Sequence, residues 1–293
     1  MPWQDHGSIG LFRKFHEEVM PNFGFKIVDK NAASLAPILD YAMTWARPLE
    51  VGFYFAEPEA LDLIGTRLIG ATIPVNAHSD QTRMHAFNLH ETKDLLAAHI
   101  RQAQSIGSRY SILHVAKLPS TTRGSQQKIL FERILDNLER AEDLCTRLDY
   151  RLHIENDFQS IAFYRQLFED IQARGLSRLH FCFDIGHAKV WSNESLDDWL
   201  AFMADLESAG HALHCHLHAN AGFEDEHLSL AEVEAKGLAA PDGDYNPYGY
   251  PAAYWRVEQR FPHATKVFEV KPERAIANYE AVLAARPASL QGR

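Results

Sequence analysis

"RLHFCFDIGHAKVW", residues 178 to 191, decides the fold. Its first half is a near-continuous apolar run, the signature of a strand covered on both faces of a sheet. The run stops at Asp184, and His187 follows three residues later. A strand ending this way is either punctuated by a helix cap or delivers chemistry at its tip. The rest of the chain repeats the pattern often enough to choose.

Working outward, seven more runs read as strands: "FKIVD" (25–29), "LEVGFYFA" (49–56), "ATIPVNAH" (71–78), "YSILHVAK" (110–117), "RLHIEND" (151–157), "ALHCHLHAN" (212–220) and "TKVFEVKP" (265–272). Between them, stretches such as "ASLAPILDYAMTWA", "TKDLLAAHIRQAQSIG" and "IAFYRQLFEDIQARG" place apolar residues at three and four spacing, which predicts helices. Eight apolar strands alternating with helices point to an α/β protein built as a single (β/α)8 TIM barrel. A doubly wound open sheet is the alternative, disfavoured by the strand count and by the lack of a GxGxxG turn. One domain is expected over residues 1–293, with an N-terminal extension at 1–24 and a Gly, Pro and Tyr rich surface loop at 237–255.

Composition narrows the function. The chain is 46% hydrophobic and 23% charged, with no apolar run of membrane-spanning length and no signal-peptide pattern at its start, so a cytoplasmic protein is expected. A formal charge of −10 with scattered cations argues against nucleic acid as a partner. A small-molecule substrate fits better, and a homo-oligomer is compatible. Cys145, Cys182 and Cys215 have no CxxC spacing and read as reduced core residues, not as ligands.

The strand ends carry the chemistry. In this architecture reacting groups come from the C-terminal ends of strands and the loops after them. Reading each end gives His78, His114, Glu155, Asp184, His187, His216 and Glu269, and the loop after strand seven adds Asp225 and His227. Singly, each is a hydrogen-bonded structural residue or a cap. Together, four carboxylates in one mouth would repel unless cations balanced them, and imidazole nitrogen with carboxylate oxygen is the ligand chemistry of Zn2+ and Mn2+. One divalent ion takes four to six ligands, so nine candidates serve one to three ions per chain. In "HCHLH", His214, His216 and His218 share a face, and His216 is read as the one at ligand depth. His153 either backs the ligands from behind or packs the barrel core. Trp191, Lys117 and Lys271, with His153, are the expected substrate contacts, while His85, His90 and His99 are expected in solvated or capping roles.

The chain resembles the xylose isomerase-like TIM-barrel superfamily, which includes sugar isomerases and epimerases and the endonuclease IV group. The resemblance covers residues 25–288 and rests on "IEN" (154–156), "DIGHA" (184–188), "HLHAN" (216–220), "DEH" (225–227) and "FEV" (268–270). It implies that Glu155, Asp184, His216 and Glu269 hold one metal ion in an epimerase-type site. There Glu155 and Glu269 exchange the proton and His187 orients a small sugar or sugar derivative. All nine positions also match the three-ion set of the endonuclease IV group. Two features depart from the epimerases: His153 stands where a glutamate is frequent, and "LHANAGF" lacks an arginine. The leading expectation is a metal-dependent isomerase or epimerase working through an enediolate. The alternative is a di- or trinuclear phosphoester hydrolase, and a third class is a barrel that binds without catalysis.

Overall fold

The structure, a computed structural model, describes residues 21–119, 123–238 and 248–288. All eight expected strands are present: β1 Phe23–Val28, β2 Leu49–Gly52, β3 Val75–His78, β4 Tyr110–His114, β5 Arg151–Glu155, β6 Leu179–Asp184, β7 Leu213–Leu217 and β8 Thr265–Phe268. They run parallel in sequence order and close, β1 pairing with both β2 and β8. The fold is the (β/α)8 barrel.

The intervening helices are α1 Ala32–Trp45, α2 Pro58–Leu68, α3 Lys93–Ser105, α4 Gly124–Leu148, α5 Ile161–Ala173, α6 Ile185–Trp191, α7 Leu196–Ser208, α8 Leu230–Ala235, α9 Ala252–Arg260 and α10 Pro272–Ala284. Among the described residues no helix is long and apolar enough to cross a membrane. Each main helix turns one apolar stripe to the sheet, as Leu35, Ile38, Leu39 and Ala42 do on α1. The outward face of β1 meets this layer: the Phe25 ring lies 5.7 Å from Tyr41 on α1 and 5.3 Å from Tyr279 on α10. Each such fully buried side chain contributes roughly 1.5–3 kcal/mol, so the annulus between sheet and helices is the apolar core.

The inward face differs. Parallel register places Lys26 beside Glu50, Glu50 beside Asn76, His153 beside His180, Cys182 beside His214 and Asp184 beside His216. These inward positions are polar and buried. A barrel of this kind is usually filled by branched apolar residues.

Several boundaries depart from the sequence reading. The run 178–187 is cut at Asp184 because α6 begins at the next residue, with Asp184 as its N-cap. β2 stops at Gly52, short of 56, because the backbone amides of Tyr54, Phe55 and Ala56 turn to the Asp29 carboxylate. β1 takes in Phe23 and Gly24 from the expected extension, whose residues 1–20 lie outside the described residues. Of the expected loop at 237–255, residues 239–247 also lie outside them, but its far end is no surface loop. Tyr248 and Tyr250 are buried and α9 starts at Ala252.

Candidate metal centre

Strand register and three local devices assemble the site. The first is a clamp: Asn156 accepts from the Asp184 amide at 2.7 Å and donates to the Asp184 carbonyl at 2.9 Å, locking the end of β6 to that of β5. The second is the start of α6, where Asp184 accepts the His187 amide at 2.6 Å. This turn lets His187 fold back over the mouth. Gly186 is required there by close approach: a Cβ would lie 1.9 Å from the His218 ring. The third is the two-way pairing of Ala219 with Leu228, at 3.0 and 2.7 Å, which returns the loop carrying Asp225 and His227 to the barrel.

All nine expected groups converge. Glu155 faces two ways. Its Oε2 lies 3.2 Å from His78 Nε2 and 3.0 Å from His114 Nε2, while its Oε1 lies 2.9 Å from His216 Nδ1. His216 Nδ1 is also 3.1 Å from Glu269 and 3.6 Å from Asp184. Beside this set, Asp225 Oδ2 lies 3.3 Å from His187 Nε2 and 2.8 Å from His227 Nε2. The result is two imidazoles on one side of Glu155, a four-group set around His216, and a third trio at the lip.

Several residues at the site carried no expectation as ligands. His218 lies 3.1 Å from Asp184 and 3.6 Å from Asp225, so His216 is not alone in reaching the centre. Glu50 lies 3.0 Å from His216 Nε2, Lys26 pairs tightly with Glu269, and Asp157 holds His114 Nδ1 at 2.6 Å. His153 is buried among Tyr110, His180 and His214, two residues deeper along β5 than Glu155. The half-buried Trp191 stacks on His187 at 4.6 Å and on Phe158 at 4.2 Å, and the exposed Lys117 sits 5.7 Å over the Phe158 ring. Lys271 pairs instead with Glu232 at 3.7 Å. His90 is a surface partner of Arg133 and Glu91, and the His85 amide caps onto Asn88. His99 is no solvated residue, since it is buried against Ser111 Oγ at 2.8 Å.

The electrostatics follow from crowding. Burial works against the charge on Glu155, but His114 and His216 outweigh it and hold the carboxyl well below its ordinary range. Asp184 is lowered likewise by His187 and His218. On the lip, burial opposes charge on His227, yet Glu269 and Asp225 raise it to about 9. Protonated imidazoles thus balance the carboxylates when nothing else does.

The donor set fits divalent ions. A ligating histidine has its second ring nitrogen fixed by a carbonyl or carboxylate. Here His78 Nδ1 meets Ser79 O at 2.8 Å, His187 Nδ1 meets Asn156 O at 2.9 Å, and His227 Nδ1 meets Glu269 O at 3.1 Å. His114 is held by Asp157 and His216 by Glu50. Each ring therefore presents its remaining nitrogen to the carboxylates.

No family model and no curated protein matches the chain. Solved structures do. It is similar to a Thermus thermophilus protein soaked with ZnCl2, at 18% identity and TM-score 0.65 over 91% of this chain and 100% of that one. A D-tagatose 3-epimerase-like protein aligns at 15% identity and TM-score 0.67, over 90% and 96% of the two chains. Endonuclease IV from Thermus thermophilus aligns at 16% identity and TM-score 0.59, over 91% and 100%.

Proposed function

We propose, for a chain that shares its fold with the xylose isomerase-like TIM barrels, that the centre holds two or three divalent ions and hydrolyses a phosphoester of a small molecule. The observation that carries this reading is the trio His187, Asp225 and His227 placed against the four-group set. An enzyme that moves one proton with one ion can use His187 beside its substrate, but it leaves Asp225 and His227, and His78 and His114 on the far oxygen of Glu155, without a ligand role. This reverses the ranking reached from the sequence, which put the isomerase or epimerase first and the phosphoester hydrolase second.

Bound divalent ions supply a nucleophile from water near neutral pH and spread charge over phosphoryl oxygens. The chain's own residues do the rest. Glu155, with an oxygen on each side, spans the His78–His114 pair and the His216 set. Asp157 and Asn156 fix the His114 and His187 rings. Trp191 and Phe158 form an aromatic wall beside His187 against which the apolar face of an alcohol moiety packs, and Lys117 adds an exposed cation at that wall. The net charge of −10 favours a small ester over a nucleic acid backbone.

The second reading, an isomerase or epimerase of a small sugar, is favoured by Glu155 and Glu269 meeting at one His216 nitrogen, which makes a complete one-ion set. Metal analysis and two assays separate them. Two or three equivalents bound by nitrogen and oxygen ligands alone, with phosphate released from model esters, support hydrolysis. One equivalent, with solvent deuterium entering a sugar panel and no phosphate released, supports proton transfer and removes the first proposal.

A further inference from the structure

Deeper along the axis, the barrel interior holds a second set of ligating atoms that the centre at the mouth does not use. Cys182 on β6 and His214 on β7 are register partners. With His216 they bring a sulfur and two ring nitrogens within 4.8 Å of one another. Glu50, inward on β2, adds a carboxylate, with Oε2 3.0 Å from His214 Nε2 and Oε1 3.0 Å from His216 Nε2. All four residues are 0% exposed.

Two details set this cluster apart from an ordinary hydrogen-bonded core. His214 Nε2 and Glu50 Oε1 are buried without a hydrogen-bond partner, although each has a polar atom of the cluster beside it. Glu50 Oε2 is satisfied by Asn76 and His216, and His214 Nδ1 by the Tyr110 hydroxyl, but the two remaining atoms are close without being aligned as donor and acceptor, and a buried polar atom left so costs about 1–3 kcal/mol. Atoms that share a tetrahedral ion behave this way: zinc bonds of about 2.0–2.1 Å to N and O put neighbouring ligand atoms roughly 3.3 Å apart. The charges also match in a site closed to water: the Cys182 thiolate, the Glu50 carboxylate and a His216 ring shared with the mouth face the divalent ion together with the buried Lys26 ammonium, 3.7 Å from Glu50 Oε1.

We propose that Cys182, His214, His216 and Glu50 bind a zinc-class divalent ion inside the barrel. The site lies below the centre at the mouth and shares the His216 ring with it, while Glu50 also neighbours His78 and is joined to Glu269 through Lys26, so it rests on the reading of His216 as a ligand there. The thiolate selects Zn2+, Co2+ or Fe2+ over Mg2+ and Mn2+. Filling the site releases the Cys182 thiol proton to solvent, and because His216 then ligates through both nitrogens, its ring proton leaves as well. The three cysteines are free and buried, as read from the sequence; the proposal adds a ligand role for Cys182, the one whose strand position faces these imidazoles.

Cobalt is the probe. Apoprotein loaded with Co2+ alone is expected to show sulfur-to-metal charge-transfer absorption in the near ultraviolet. X-ray absorption at the cobalt edge should show one sulfur at about 2.3 Å. Cys182→Ser should remove both signals and one equivalent of metal while the remaining ions stay bound, and His214→Gln should lose the same equivalent. Nitrogen and oxygen ligation only, in the wild-type protein with metal bound, overturns the interior site and leaves the mouth centre standing. Failure to bind any metal overturns both. The wild-type spectra do not depend on whether either variant folds.

Discussion

Single atoms decide much of this site. Gly186 is the clearest case, because the His218 ring occupies the place of its missing side chain. Gly186→Ala is expected to destabilise the protein by about 1–3 kcal/mol, the cost of overpacking. It should also displace His218 from Asp184; denaturant unfolding and metal content are the measurements. Asp157 is the second case. It holds His114 at 2.6 Å and accepts the amides of Val115 and Ala116 at 3.0 and 3.2 Å. Asp157→Asn leaves a ring without its anionic anchor and should weaken metal affinity about 10- to 100-fold, as the loss of a group that orients a ligand does. Competition with a chromophoric chelator reads this directly, and an unchanged affinity would remove Asp157 from the support of the centre.

At the scale of strands and helices, His99 offers a pH test. On α3, against Ser111 of β4, burial pushes its pKa down to about 4. The folded value lies below the unfolded one of about 6.5, so folding favours the neutral ring. Its contribution is complete above about pH 6.5 and drains away as pH falls toward 4, with roughly 2 kcal/mol lost at pH 5. Denaturation at pH 7 and pH 5 should therefore show His99→Gln losing less stability than the wild type. Strands also explain what could be read from sequence. The nine groups were legible because strand tips are punctuated by loops, and eight apolar runs made the barrel legible. Lys26 and Glu50 were missed, yet "FKIV" and "LEV" each hide a charge in mid-strand between apolar neighbours. A charge in a strand buried on both faces is a signal in its own right, because only a partner inside the barrel makes it tolerable. His218 was set aside on depth, yet it lies one strand step beyond His216 on the same face and 3.1 Å from Asp184. Residues 248–255 were misread because turn-forming composition says nothing about what packs on Tyr248 and Tyr250.

For the whole molecule, the mouth concentrates Glu155, Asp184, Asp225 and Glu269, whose repulsion is relieved by ions or by protonated rings. Chelation should lower the melting temperature near neutral pH, and re-added metal at a hundred times its dissociation constant should restore about 2.7 kcal/mol. No change in melting on chelation would argue against ions as part of the native state. The polar lining of the barrel leads somewhere else. His153 is buried with Nε2 unpartnered, held by one bond to the Phe181 carbonyl at 3.2 Å. Exchange for an apolar side chain of similar size removes a desolvated nitrogen, so His153→Leu should raise the melting temperature in calorimetry. The apolar packing that holds the barrel lies in the hoop of helices and strands, and the contents of the cask add none of it. Stability has been forgone along the axis, where it could most easily have been gained, and a variant selected for robustness alone would drift toward a greasy interior and fall silent.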